Sequence, residues 1–167
     1  LLVVALFIGV CLLLYPTVAD HWNQRVESYV MDNYMTSVKK MDPVEAERER
    51  EKANQYNAAL KKINFPLANY AQVSGYEEAL NVDHNGVMGI ITIPKINVEL
   101  PSYQGTSDNV MNKAVGHLQG SSLPVGGEGN HTVLSAHRGL PSAKLFTYLD
   151  QLKEGDTFSL KILDQEL

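Results

Sequence analysis

The first nineteen residues, Leu1 to Ala19, carry no charged side chain and are almost wholly apolar. Few structures are open to such a run, because a backbone in lipid must satisfy its own hydrogen bonds, and about 20 apolar residues span the hydrocarbon core as a helix. The stretch therefore reads as a transmembrane anchor. The alternative is a cleaved secretory signal, since Thr17-Val18-Ala19 stands just ahead of Asp20. Tyr15 and Trp22 fall at the membrane interface, where amphipathic rings are favoured. Asp20 to Ser37 has Arg25 as its only cation, in keeping with an exterior location for the chain beyond the apolar run. Cys11, the single cysteine, lies inside that run, which excludes an internal disulfide and makes it a poor nucleophile. The chain begins without methionine and stops just after a β-rich segment, so it reads as a piece of a longer protein.

Beyond the run, Asp20 to about Lys40 suits a helix with Trp22, Val26, Tyr29 and Val30 on one face. Asp42-Pro43-Val44-Glu45 starts a second helix, with an acceptor at the N-cap, proline at the first helical position and an acid at the third. Its acids come early and Lys61 and Lys62 late, complementing the helix dipole, while Ala53, Tyr56, Leu60 and Ile63 form an apolar stripe ended by Pro66. The charged side reads as a solvated face rather than a binding surface. Residues 65–86 form a connection, with one short helix at Glu77 to Leu80. The expected organisation is thus 1–19 anchor or signal, 20–64 helical region, 65–86 connection and 87–167 an incomplete β domain.

Within that domain, Val87 to Ile93 is a β-rich run closed by Pro94, and Ile96 to Leu100 alternates up to Pro101. A short helix capped by Thr106 or Ser107 runs to Ala114, and Gly116 to Asn130 reads as glycine-rich loop. His131 to Ala136 is a strand. Ser142 caps a short helix carrying Leu145, Phe146, Leu149 and Leu152, Lys153 to Asp156 is a turn, and Thr157 to Leu163 alternates as a strand. Short strands separated by turns suggest a small β-barrel or sandwich. A net charge of -5, a pI near 5.5 and no basic patch argue against a nucleic-acid partner. His117, His131 and His137 lack ligand-like spacing and have no cysteine or paired carboxylate beside them, so no metal is expected. His137 stands out among them. It ends a strand and is followed by Arg138 and a Gly-Leu-Pro turn, an arrangement that fixes the imidazole and leaves it accessible.

These residues also carry a family likeness. Gly89-Ile90-Ile91-Thr92-Ile93-Pro94-Lys95-Ile96, Leu100-Pro101-Ser102-Tyr103-Gln104-Gly105-Thr106, Ala114-Val115-Gly116-His117-Leu118, Leu123-Pro124-Val125-Gly126-Gly127, Leu134-Ser135-Ala136-His137-Arg138-Gly139 and Ala143-Lys144-Leu145-Phe146 follow one another in the order and spacing of a sortase. The chain most resembles class C, the pilin-polymerising type. The resemblance implies a mainly β fold, the N-terminal part of a sortase-like β-barrel, preceded by a transmembrane helix and two α-helices. It implies a cofactor-free cysteine transpeptidase on the outer face of a Gram-positive type of membrane. Such an enzyme cleaves a Leu-Pro-x-Thr-Gly-type sorting signal of a pilin or surface protein and joins it to an amine, a pilin lysine or a cell-wall precursor. The catalytic histidine of the family matches His137, and its cysteine and arginine belong to later strands, so residues 1–167 alone are expected to be inactive. His117 is expected to support the site from behind, and Arg138, next to His137 on a strand, to face away from it. Many class C enzymes carry a lid with an Asp-Pro-aromatic motif. Here Asp42-Pro43 is followed by Val44, and Asn64 to Asn85 has no such motif.

Three other readings compete. A housekeeping-type sortase that attaches proteins to the cell wall shares the same residues. Ser135-Ala136-His137 is also compatible with a chymotrypsin-like serine protease, whose pattern has no place for the Pro-Lys-Ile and Gly-His-Leu blocks. A membrane-tethered, non-enzymatic interaction module would use the charged helix and have no need of His137.

Overall fold

Strand β1 (Val87–Ile93) is central to the fold, and six of its seven residues are buried. In the computed structural model, which describes residues 1–167, it pairs on one side with β2 (Val98–Gln104) and on the other with β7 (Ser159–Ile162), both antiparallel. β3 (Val115–His117) adds in parallel to β2, β4 (Leu134–Ser135) pairs antiparallel with β3, and β8 (Gln165–Glu166) with β7. The sheet order is β4-β3-β2-β1-β7-β8, and β5 (Arg138–Leu140) and β6 (Ala143–Leu145) form a separate hairpin. Gly89 is required where β1 and β7 approach, because a β-carbon there would lie 2.5 Å from the Lys161 carbonyl oxygen.

Helix α1 (Leu2–Lys40) runs unbroken from the apolar segment onto the sheet, and its first half is long and apolar enough to cross a membrane. The expected separate helix from Asp20 is therefore a continuation, with Pro16 carried inside the one helix. The buried face also differs from the expected one. Trp22, Val26 and Tyr29 are exposed, whereas Glu27, Tyr34 and Val38 pack on the sheet with Val30 and Met31 beside them. Helix α2 (Pro43–Leu60) begins as its cap predicts, with the Val44 N–H donating to Asp42 Oδ1 at 2.7 Å, and buries Ala53, Tyr56 and Leu60. It ends at Leu60. Pro66 instead opens a short helix, α3 (Pro66–Asn69). The charged side of α2 is not all solvated, because Arg50 pairs with Asp164 at 2.6 Å and Glu49 Oε2 accepts the Leu80 N–H at 3.2 Å.

Several β-domain expectations shift in detail. Residues 94–96 form a 3₁₀ turn with Asn97 left-handed at φ 51°, and β2 then runs through Pro101. Proline is tolerated there because the ladder to β3 begins only at Ser102. A short helix α4 (Asp108–Met111) follows Ser107, whose side chain makes no cap hydrogen bond, and ends three residues before the expected Ala114. Gly116 and His117 are strand rather than loop. Only Leu134 and Ser135 of the expected His131 to Ala136 strand form a ladder, because Ser121 and Ser122 take the place of a strand partner for His131, Thr132 and Val133. The helix expected after Ser142 is absent. Ala143, Lys144 and Leu145 alternate buried-exposed-buried as β6, and Leu149–Gln151 makes one 3₁₀ turn, since so short a segment gains little from helix and more from pairing with β5. The residues expected as a helix at Glu77 to Leu80 form turns, with Leu80 at φ 60° and fully buried.

Candidate functional site: the strand-end histidine and its supports

His137 follows β4 by two residues and directly precedes β5. Its side chain is exposed, and its carbonyl accepts the Phe146 N–H at 3.1 Å, so the β5–β6 hairpin holds its backbone. That hairpin is tied to α1. The Asn23 side-chain amide donates to the Ser142 carbonyl at 2.7 Å, the Lys144 N–H donates to Asp20 Oδ1 at 3.1 Å, and Lys144 Nζ lies 3.4 Å from Asp20 Oδ2. The first polar turn of the helix after its apolar run thereby fixes the loop that presents the imidazole. Arg138 turns to Asp150, Nη2 to Oδ2 3.1 Å, with both side chains exposed. It is engaged in an ion pair.

His117 is a histidine of the opposite kind. It is fully buried on β3, with Nε2 2.9 Å from the Ser122 carbonyl oxygen and Nδ1 2.9 Å from Tyr76 Oη. A carbonyl can only accept, so Nε2 carries the proton and Nδ1 accepts from the tyrosine hydroxyl. Tyr76 Oη in turn accepts the Gly105 N–H at 2.9 Å. Burial holds the His117 pKa below its ordinary value, opposed by the Ser122 carbonyl, and the ring is neutral with both nitrogens satisfied. Its work is to tie β3 to the 65–86 connection, which Gln104 also grips through the Tyr76 and Ala79 carbonyls at 2.8 and 2.9 Å. Gly120, at φ 88°, lets the connection pass close by, since a β-carbon there would meet the Pro66 carbonyl oxygen at 2.6 Å.

No hydrogen bond links His117 to His137, and each histidine has its own partners. Sequence reasoning missed Tyr76, whose only signal was an aromatic inside a segment without periodicity. It also missed Asn23 and Glu27 as inward residues. Extending the Val30, Tyr34, Val38 spacing backward by three and four would have reached both. No three His, Cys, Asp or Glu side chains are placed to hold a metal ion. The only thiol, Cys11, is exposed on the apolar part of α1.

The sequence profile of the sortase domain matches residues 91–166. Among solved structures, sortase C1 from Streptococcus agalactiae is 39% identical, with a TM-score of 0.74 over 83% of this chain and 72% of that one. The chain belongs to the sortase family. Sortase C of Streptococcus pneumoniae is similar to the same extent, 40% identical with a TM-score of 0.68 over 83% of this sortase and 70% of that chain. Among curated proteins, sortase D of Bacillus subtilis (strain 168) is 40% identical over 72 residues, 43% of this chain. The match spans about a third of that relative's length, 33%. The likeness in structure, at 83% of the chain, takes in more than the β domain alone. The sortase fold seen here, a β-sheet core behind a long apolar N-terminal helix, is the one that the order of the motifs implied.

Proposed function

We propose that this sortase is a class C transpeptidase that cleaves a Leu-Pro-x-Thr-Gly-type sorting signal between threonine and glycine and passes the acyl group to a pilin lysine. The observation that carries the proposal is the exposed His137 at the β4–β5 junction, held by a hairpin anchored to α1, in a chain about 40% identical to C-type sortases. In the reaction a thiolate attacks the threonine carbonyl carbon, the carbon–nitrogen bond to glycine breaks, and the His137 imidazolium gives its proton to the leaving amine. A guanidinium stabilises the oxyanion. The lysine amine then attacks the thioester, His137 takes up its proton, and the thiolate leaves. Arg138 is paired with Asp150, and Cys11 sits on the apolar part of α1, well before Asp20, so neither supplies the guanidinium or the thiolate. Both belong to sequence outside residues 1–167, which alone do not turn over. The apolar part of α1 anchors the enzyme, with the β domain on the extracellular side. The helix continues past Ala19 without a break, which favours an anchor over a cleaved signal.

The test is turnover of a sorting-signal peptide with a lysine acceptor by the whole protein. His137→Ala should lower the rate on the order of 10² to 10⁴-fold, the usual cost of losing a general acid-base group, with an unchanged circular dichroism spectrum. Turnover within a few-fold of wild type by the folded variant would remove His137 from the mechanism.

A further inference from the structure

Between α1, the 94–97 turn and the start of β2 lies a cleft of about 500 Å³. Glu27 lines it, 9% exposed, and its carboxylate has no hydrogen bond or ion pair. Burial, and next to it the charge of Asp20, push its pKa up to about 7. A carboxyl in such a place is costly for a fold to keep, since a leucine would pack there without a desolvation penalty. Four other charged side chains line the same cleft. Lys144 is committed to Asp20 and Lys95 to Asp156, each at 3.4 Å, and Glu99 is a further acid. The cleft thus has two paired cations and two unpaired acids.

We propose that this cleft binds a lysine-type side chain of a partner polypeptide, its ammonium group ion-paired with Glu27 and its methylene stem laid over Ile96, Val98 and Leu100. The edges of Ile96, Val98 and Leu100 add contact for the stem, because an alkylammonium presents four methylenes and one compact charge. A metal ion is disfavoured by the lack of a third ligating side chain of the usual kinds. The proposal does not depend on the reaction assigned to His137. Binding requires ionised Glu27, so affinity rises as pH is raised through 7 and stays level until the amine itself begins to lose its proton, near 10.4.

The experiment follows the ¹³C carboxyl resonance of Glu27 in the intact protein in detergent micelles, titrated with Nα-acetyl-lysine methylamide and, separately, with the norleucine analogue. The lysine compound should bind saturably and lower the Glu27 titration midpoint, and the norleucine compound should do neither. Glu27→Gln should weaken binding by about tenfold or more, the effect of losing a charge-assisted contact. Three results would overturn the proposal. One is equal binding by the two compounds, or none by the lysine compound. Another is a midpoint already in the ordinary carboxylate range without ligand, which would mean that a cation of the protein itself, Lys95, Lys144 or one outside residues 1–167, serves Glu27. The third is a fall in midpoint with phosphatidylethanolamine vesicles but not with the lysine compound, which would assign the ammonium to a lipid headgroup.

Discussion

At the scale of single residues, two of the three histidines of the β domain stand in opposite settings, His137 exposed beyond a strand end and His117 fully buried among polar partners. His117 is neutral in the folded protein because burial depresses its pKa, while the unfolded chain titrates near the ordinary value of 6.5. As pH falls, the unfolded state takes up a proton first, so the stability His117 contributes is present above about 6.5 and lost below it. Relative to His117→Leu, the wild type should therefore lose thermal stability between pH 7 and 5.5, while the buried Glu27 acts in the opposite sense in both proteins. The same variant should cost on the order of 2–4 kcal/mol at pH 7, because Tyr76 and the Ser122 carbonyl lose buried partners. An unchanged pH dependence in the variant would assign the shift to other groups. The exposed position of His137 was legible in the sequence because it ends an apolar run and is followed at once by turn residues. The role of His117 was not legible, because its partners Tyr76 and Ser122 lie 41 residues before it and five after it, and no periodicity links them.

Elements dock on one another here through backbone-directed side chains as much as through apolar area. The Asn57 amide on α2 donates to the Leu123 carbonyl at 3.0 Å, and its carbonyl oxygen accepts the Leu123 N–H at 2.7 Å. Asn57→Ala leaves both buried groups unpaired and should lower unfolding free energy by about 2–4 kcal/mol in a denaturant titration. A loss under about 0.5 kcal/mol would mean that water replaces the amide. Tyr34 does the equivalent for α1, donating to the Met88 carbonyl at 2.9 Å and accepting the Leu163 N–H at 2.8 Å. Tyr34→Phe should cost about 1–3 kcal/mol by the same measurement. The start of α2 and the extent of β1 were readable, since a cap, a proline and a β-branched run act locally. The inward face of α1 and the β6 strand were not. Trp22 and Tyr29 are large enough to suggest a core stripe, yet the sheet receives Tyr34 and Val38, and a stretch of four apolar residues at Leu145 to Leu152 fits a helix until β5 offers it a partner.

For the whole molecule, an exterior β domain predicts that a protease added to intact cells digests everything beyond the membrane. Protection of the domain until the cells are lysed would reverse the orientation. The single helix that carries the apolar segment also carries Glu27, Tyr34 and Val38 into the sheet, with no glycine and no loop between them. From Ala19 to Tyr34 is about 22 Å at 1.5 Å per residue. With the apolar half in the bilayer, α1 is a mast, and the β domain is bolted to it rather than tethered. The imidazole then rides in a thin layer at constant altitude over the lipid, facing a constant direction relative to the membrane normal. Anything that meets it there is found by lateral drift, and the length of stalk between a partner's own anchor and its reacting segment decides whether the two can ever be level.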